Sequence, residues 1–250
     1  MTIISFEHKF IFLKTKKVAG TSVEALLRPL TGPNDIVPCV TPRDEYYSAS
    51  QGHFSKNYAE NPNDEKIYTQ LVLDKKFEQA MAFLQKIDKK YISHMNTKKI
   101  KNIVEAHGYN YDDFFKFTIE RHPYTWMISM AAYNNKKYNA GELTKNFDVE
   151  KIRRSVEKIL NKDDFSRLMN WNLYADNQGP RMDMVIKYED LHGGLNTVCQ
   201  NIGLEIDSSQ LPELKINARH MDPNIVLTSS LKQMINERFS KVFEYMEYSK

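Results

Sequence analysis

Residues 17–22, with the sequence Lys-Val-Ala-Gly-Thr-Ser, place a cation, a glycine and two hydroxyl groups in one short turn. The residues before this turn, 9–13, form an apolar run with aromatic and branched side chains, which is typical of a buried strand. After the turn, apolar residues recur at helical spacing from Val23 to Leu30. The first N–H groups of a helix lack intrahelical partners, and the helix dipole adds positive charge there. The turn therefore predicts an anion site, and a phosphate group is the natural ligand.

Each residue type in this turn suits the recognition of a phosphate. Lys17 brings a mobile positive charge, and Gly20 allows a ligand to approach the backbone closely. The hydroxyl groups of Thr21 and Ser22 are hydrogen-bond donors. Thr21 and Glu24 also match a capping box, which predicts that Thr21 or Ser22 caps the helix.

A second strand followed by a cation occurs near the middle of the chain. Residues 114–120 are rich in aromatic and branched side chains, and Arg121 follows them directly. A guanidinium group is planar and always charged, so it suits a phosphate. The segment thus repeats the arrangement of the first turn, with a cation where a strand leads into a helix.

The order of lysine and glycine in the first turn separates it from the usual nucleotide-triphosphate loop. That loop has the form G-x-x-x-x-G-K-[ST], whereas Lys17 precedes Gly20 by three residues. The turn resembles the 5′-phosphosulfate loop of sulfotransferases that use 3′-phosphoadenosine 5′-phosphosulfate (PAPS). The match is to the K-x-[AG]-G-T-S form of the bacterial and Golgi-type carbohydrate branch. Residues 185–191 resemble the later strand of this family, which ends in Y-E-D-L.

The resemblance extends to the second segment. In this family an arginine at a strand end and a serine eight residues later bind the 3′-phosphate of PAPS, and Arg121 and Ser129 have that spacing. The family commonly has Arg-Asn-Pro at this point, so His122 is a departure. The family also often brings a late basic loop over the nucleotide. The residues implied in donor binding are Lys17, Val18, Ala19, Gly20, Thr21, Ser22, Arg121, Ser129 and Arg219.

The resemblance implies transfer of a sulfuryl group from PAPS to a hydroxyl or amine, with adenosine 3′,5′-bisphosphate as the product. A carbohydrate or a polar small molecule is the expected acceptor. Lys17 would neutralise the charge that grows on the leaving phosphate oxygen, as its counterparts in the family are held to do. The scheme requires no metal ion, and the sequence shows no convincing cluster of metal ligands.

A base must remove the proton of the acceptor. His94 is the first candidate, because it lies between the two phosphate motifs, where related sulfotransferases often place a catalytic histidine. The unperturbed pKa of histidine suits the task. His53 is the second candidate, and a Glu or Asp serves in some relatives.

Two other functions remain open at this stage. One is a P-loop-type kinase or nucleotide hydrolase, against which the missing loop lysine and the Arg121–Ser129 pair argue. The other is a non-catalytic protein of the same fold that binds a nucleotide.

Repeated strand–turn–helix units predict an α/β protein with a three-layer, P-loop-like fold, in which helices flank a central, mainly parallel sheet. Residues 36–70 are predicted to form a long irregular loop on the substrate side, since prolines and a glycine interrupt them. Lys14 and Lys16 are interpreted as solvated or strand-edge residues. Trp126 and Tyr133 are interpreted as core residues rather than as adenine-stacking residues.

Composition limits the remaining possibilities. The 250 residues fit a single domain, 1–250, and the net charge of +3 argues against a dedicated duplex-binding protein. The two cysteines, Cys39 and Cys199, cannot build a disulfide scaffold. The sequence shows no signal peptide and no apolar run of membrane-spanning length. We therefore expect a cytoplasmic protein with a small-molecule or glycan acceptor and no nucleic-acid or membrane partner, while its oligomeric state is open.

Overall fold

The computed structural model describes residues 2–135, 148–205, 207–212, 214 and 221–250. Its strands are β1 (Ile3–Ser5), β2 (Phe10–Leu13), β3 (Phe115–Glu120), β4 (Ala175–Asp176), β5 (Gly179–Pro180) and β6 (Met184–Lys187). The central sheet has the order β1-β2-β3-β6. β1 runs antiparallel to β2, whereas β2, β3 and β6 are parallel to one another. β4 and β5 form a separate antiparallel pair.

Helices connect and cover these strands. They are α1 (Gly20–Leu27), α2 (Pro42–Ala49), α3 (Pro62–Leu73), α4 (Phe77–Lys86), α5 (Thr97–Ala106), α6 (Pro123–Asn134), α7 (Val149–Leu160), α8 (Trp171–Tyr174), α9 (Leu191–Ile202), α10 (Pro223–Val226), α11 (Ser229–Arg238) and α12 (Ser240–Met246). Short 3₁₀ segments lie at Arg28–Leu30, Tyr111–Asp113, Phe165–Leu168, Tyr188–Asp190 and Ser208–Gln210.

Side chains that alternate along the strands bury both faces of the sheet. Phe10 and Phe12 pack with apolar residues of α1 and α9. Ile11 and Leu13 point to the opposite face, where they join a larger core formed with α5, α6, α7, α11 and α12. Both faces are therefore covered by helices, as parallel sheets require. The predicted three-layer α/β fold with a mainly parallel sheet is confirmed.

The three parallel strands end at the same edge of the sheet. β2 is followed there by residues 14–19, β3 by Arg121 and β6 by Tyr188. The crevice outside the carboxyl ends of parallel strands is the usual place for a ligand in such sheets. The topology thus brings the two predicted phosphate motifs to one edge.

The prediction of an irregular segment at 36–70 is wrong for the residues that form α2 and the first part of α3. Pro42 and Pro62 stand in the first turn of these helices, where proline has no N–H to lose and its fixed φ suits the helix. Acidic residues in both first turns add favourable charge near the helix N-termini. Together with α4, the two helices enclose a small core of their own, which includes Tyr58 and Tyr68.

A chain of buried charges joins α1 to α2. The Arg28 guanidinium donates to Glu24 (Nε to Oε1, 2.9 Å) and to Glu45 (Nη1 to Oε1, 2.7 Å), and each of these residues is at most 3% exposed. Lys14, which is 7% exposed, completes the chain through its Nζ, 3.2 Å from Glu24 Oε2. Two predictions are therefore wrong. Lys14 is a buried ion-pair residue rather than a solvated one, and the Glu24 carboxylate pairs with cations instead of closing a capping box.

The start of α1 shows why these residues do not form a capping box. Ala19 is the N-cap, and no side chain caps the helix. The Thr21 hydroxyl instead accepts a hydrogen bond from Lys14 Nζ at 3.1 Å. A Cβ at Gly20 would lie 2.8 Å from both Cγ and Cε of Lys14. The missing side chain at Gly20 therefore makes room for Lys14 to reach Glu24, a role that the sequence did not indicate.

We expect Arg28→Met to lower the free energy of unfolding by about 3–5 kcal/mol, because it leaves two buried carboxylates without their shared cation. Urea unfolding followed by circular dichroism measures this change. Lys76→Met is the matched control, since the Lys76–Asp74 pair is exposed and its loss is worth at most about 1 kcal/mol. Equal effects of the two variants would contradict this account of the buried network.

We expect Gly20→Ala to destabilise the protein by about 1–3 kcal/mol, because the new methyl group collides with the Lys14 side chain. The same change in a Lys14→Ala background should cost much less, since the collision is gone and alanine favours the helix. Urea unfolding of the four proteins in this double-mutant cycle gives the coupling. An additive result would show that Lys14 does not need the space at Gly20.

Candidate active site

A cleft of about 760 Å³ opens at the edge where the parallel strands end. We call one wall the sheet half, because it follows the strands and α6; its residues include 14–21, Arg121, Ser129, Tyr133 and Tyr188. We call the other wall the helical half, because it comes from the region of α2 to α4 and the segment after it. Its residues are 39–41, Asp44, Met81, Leu84, Gln85, Lys89 and 91–94.

The loop between β2 and α1 has an unusual backbone. Lys17 (φ 64°) and Ala19 (φ 56°) both adopt the left-handed conformation, which is uncommon for residues other than glycine. Each such residue costs on the order of 1–3 kcal/mol, and such strain clusters at ligand-binding sites. Left-handed residues in a short loop can turn successive N–H groups toward one concavity that accepts an anion. The loop leads directly into the N-terminus of α1, which adds the helix dipole.

Contacts from three other elements hold this loop in place. The Lys16 carbonyl accepts hydrogen bonds from Trp126 Nε1 and Asn170 Nδ2, both at 2.9 Å, and the Lys16 N–H donates to Asn170 Oδ1 at 2.7 Å. The Thr15 hydroxyl donates to the Ile119 carbonyl in β3. The Val18 side chain is fully buried in the core. The loop backbone is therefore fixed on both sides of Lys17.

The last residue of β3, Glu120, ties this loop to the second motif. Its carboxylate accepts hydrogen bonds from Tyr174 Oη (2.9 Å), Asn170 Nδ2 (3.3 Å) and the Arg121 N–H (2.9 Å). Burial raises the pKa of Glu120 to about 7. Asn170 contacts both Glu120 and Lys16, so it sets the position of one motif relative to the other.

Arg121 and Ser129 both line the sheet half of the cleft, as their spacing predicted. They are 7% and 4% exposed, respectively. The Arg121 side chain donates to Thr125 Oγ1 (3.0 Å) and to the Lys17 carbonyl (3.3 Å), and its guanidinium lies 4.3 Å from the centre of the Tyr188 ring. The Arg121 fork is therefore held in one orientation at the cleft.

Lys17 also faces the cleft, where its Nζ lies 4.3 Å from the centre of the Tyr133 ring. Tyr133 is 64% exposed, so its interpretation as a core residue is wrong. Trp126 is 1% exposed and packs in the core as predicted. Tyr133 follows Trp126 by two helical turns. It therefore lies at the end of α6, where the helix leaves the core.

The remaining predicted donor-binding residues differ in where they lie. Val18, Ala19, Gly20 and Thr21 line the cleft. Ser22 is 1% exposed, and its hydroxyl accepts a hydrogen bond from the Leu214 N–H at 3.3 Å. Arg219 lies outside the residues that the structure describes.

His94 lies in the helical half of the cleft, with its Nδ1 2.9 Å from the Lys14 carbonyl oxygen. Because a carbonyl oxygen only accepts hydrogen bonds, Nδ1 carries the proton and Nε2 keeps a lone pair. The His94 residue is exposed at the cleft, but the protein on its other sides removes part of its hydration and lowers its pKa, and the charges of Lys14 and Lys16 lower it further. His94 is therefore a neutral imidazole whose Nε2 can accept a proton.

His53, the second candidate base, is placed elsewhere. It is absent from the described residues that line the cleft. Its backbone N–H donates to the Ser48 carbonyl, and its own carbonyl accepts a hydrogen bond from Arg28. The fold thus brings His94, and not His53, to the edge that carries Lys17 and Arg121.

Sequence reasoning missed Glu120, Asn170 and Tyr188 as parts of this site. Asn170 and Glu120 are separated by 50 residues, and neither has a local pattern that announces the contact. Tyr188 directly follows β6, and the signal for it was the resemblance of residues 185–191 to the family strand that ends in Y-E-D-L.

Two further features are absent from the described parts of the chain. No group of three or more His, Cys, Asp and Glu side chains among those residues is arranged to hold a metal ion. The helices that they form are too short or too polar to cross a membrane.

Comparisons with known proteins give one family. Searches of curated proteins and of solved structures each found no match. A model of the sulfotransferase family matches residues 1–234, which include β1 to β6, the loop with Lys17, and Arg121. Because this match spans most of the 250 residues, the chain belongs to the sulfotransferase family.

Proposed function

We propose that the protein transfers a sulfuryl group from PAPS to a hydroxyl or amine of an acceptor. One observation carries this proposal: two motifs of different design, each suited to an anion, line one cleft. The strained loop with Lys17 leads into α1, and the buried pair Arg121 and Ser129 follows β3. A donor with phosphate groups at both its 5′ and 3′ positions needs two such sites.

The chemistry of the two motifs fits the two ends of PAPS. The N–H groups at the start of α1 and the Lys17 ammonium suit the 5′-phosphosulfate. The Arg121 guanidinium, held over Tyr188, and the Ser129 hydroxyl suit the 3′-phosphate. The proposal gives Lys14 no contact with the donor, because the Lys14 ammonium neutralises Glu24 within α1.

PAPS supplies the sulfuryl group and leaves as adenosine 3′,5′-bisphosphate. His94 Nε2 accepts the proton that the acceptor hydroxyl or amine loses. Its partner, the Lys14 carbonyl, fixes the tautomer and the orientation of the ring. Lys17 and the N–H groups at the N-terminus of α1 hold the negative charge that develops on the leaving phosphate oxygen.

The identity of the acceptor as a carbohydrate or polar small molecule comes from the resemblance alone. It remains part of the proposal, together with the cytoplasmic location and the absence of nucleic-acid and membrane partners. A kinase or nucleotide hydrolase and a non-catalytic nucleotide-binding protein are the alternatives that the experiments below distinguish.

We expect adenosine 3′,5′-bisphosphate to bind with a micromolar or lower Kd, about −8 kcal/mol, and more tightly than adenosine 5′-monophosphate or ATP. Arg121→Ala should weaken bisphosphate binding by about 30-fold or more, since a buried charge pair is worth roughly 2 kcal/mol or more. Monophosphate binding should change little. Isothermal titration calorimetry measures all three ligands.

Arg154→Ala is the control for this experiment, because Arg154 is an exposed arginine on α7. If the bisphosphate binds no better than the monophosphate, the sulfotransferase proposal fails. If the protein instead turned over ATP in the presence of Mg²⁺, that result would favour the kinase or hydrolase. Bisphosphate binding without sulfation of any acceptor would favour the binding protein.

We expect kcat for sulfuryl transfer to stay constant from about pH 8 to below about pH 6.5, the ordinary pKa of histidine, and to fall at lower pH. The pKa of His94 is lowered, so Nε2 becomes protonated and unable to accept a proton only below that range. His94→Gln should lower kcat by about 10²–10⁴-fold and remove this inflection. His53→Gln should leave both unchanged, and the opposite result would assign the base to His53.

A further inference from the structure

The helical half of the cleft presents an aliphatic and sulfur-containing surface. Its apolar residues are Cys39, Val40, Met81, Leu84 and Ile92. Ile92 is 48% exposed, so a ligand that covers its side chain removes apolar surface from water. Met81 and Leu84 lie one turn apart on α4, so they present a single face to the cleft. This wall can bury a substantial apolar group.

Three polar side chains on the same wall, those of Thr41, Asp44 and Lys89, are engaged with the protein itself. The Thr41 hydroxyl donates to the Asp44 carboxylate. The Lys89 ammonium donates to the carbonyl oxygens of Leu84 and Ile87, the latter at 3.2 Å. A ligand with many hydroxyl groups would need these donors and acceptors, because each of its own polar groups loses water on binding. The wall is therefore better suited to an apolar surface than to a chain of sugars.

The apolar wall ends next to the candidate base. Ile92 precedes His94 by two residues, and both residues line the cleft. The segment between them is fixed, because Ser93 accepts a hydrogen bond from the Thr2 N–H at 3.2 Å beside β1. His94 is in turn fixed by the Lys14 carbonyl. A molecule whose apolar body lies on Ile92 thus has its polar end within reach of Nε2.

We propose that the acceptor is amphiphilic, with its hydroxyl or amine carried on an apolar body that packs against Met81, Leu84 and Ile92. This inference rests on the proposed function, which makes the helical half the acceptor side of the cleft. It narrows the expected carbohydrate or polar molecule to one with an attached alkyl or aryl group. A simple sugar would leave the wall exposed to water.

The test compares two glucosides that share a head group. Octyl β-D-glucoside, used below its critical micelle concentration, and methyl β-D-glucoside are titrated by calorimetry, with and without adenosine 3′,5′-bisphosphate. We expect the octyl compound to bind at least about tenfold more tightly, since each buried methylene contributes favourably to binding. Mass spectrometry after incubation with PAPS then reports whether its hydroxyl is sulfated.

Two matched variants show where the octyl chain binds. Ile92→Ser should weaken octyl glucoside binding by about fivefold or more and leave bisphosphate binding unchanged. Ile67→Ser is the control, because Ile67 is 46% exposed on α3 and is not among the described residues that line the cleft. Both positions are exposed enough for serine to be tolerated.

Three outcomes would overturn the proposal: equal affinity for the two glucosides, no binding of either one, or equal effects of the two serine variants. Bisphosphate binding is measured separately in the same titrations. If the bisphosphate fails to bind while the preference for octyl glucoside and the effect of Ile92→Ser persist, the proposed donor is wrong. In that case the proposed role of the helical half in binding an apolar group stands. If the bisphosphate binds and the octyl preference is absent, only the acceptor class is wrong.

Discussion

The buried carboxylate of Glu24 constrains the whole site. It lies in the first turns of a helix whose N-terminus is proposed to hold an anion, where an uncompensated negative charge would repel the ligand. Lys14 and Arg28 neutralise it from two sides. Because Arg28 also binds Glu45 in α2, this charge balance fixes the helical half of the cleft to the sheet half. The cleft keeps its shape because these charges cannot separate without a large cost.

Lys14 connects this charge balance to the proposed base. Its side chain pairs with Glu24, while its carbonyl holds the Nδ1 of His94. The residue stands directly after β2, so its backbone is continuous with the sheet. The orientation of the imidazole is therefore set by the same short segment that begins the predicted phosphate loop, so the proposed proton acceptor is held rigidly against the proposed anion site.

Much of the framework could be predicted from local sequence. The buried strands, the turn at 17–22 and the Arg121–Ser129 pair are short-range features: the strands formed, and residues 17–21, Arg121 and Ser129 line one cleft. The failures have physical reasons. Pro42 and Pro62 looked like breaks in a loop because a proline in the first turn of a helix has the same local signature.

The partners of charged residues were harder to predict. A lysine is usually solvated, and nothing in its neighbours shows that Lys14 would be buried against Glu24, ten residues later. The Asn170 contacts with Lys16 and Glu120 span still longer separations along the chain. Such pairs depend on the tertiary fold, which no window of sequence contains. The exposure of Tyr133 similarly depends on where α6 emerges from the core.

The left-handed backbone at Lys17 and Ala19 has a consequence for how fast a ligand binds. The hydrogen bonds to Lys16 and the buried Val18 side chain hold this conformation in the free protein. The free-energy cost of the strained backbone is therefore part of folding and does not reduce the free energy of ligand binding. A phosphate bound at the proposed site would therefore lose little affinity to loop ordering. Association should then follow diffusion and electrostatic attraction, with a rate that depends on ionic strength rather than on a slow rearrangement of the loop.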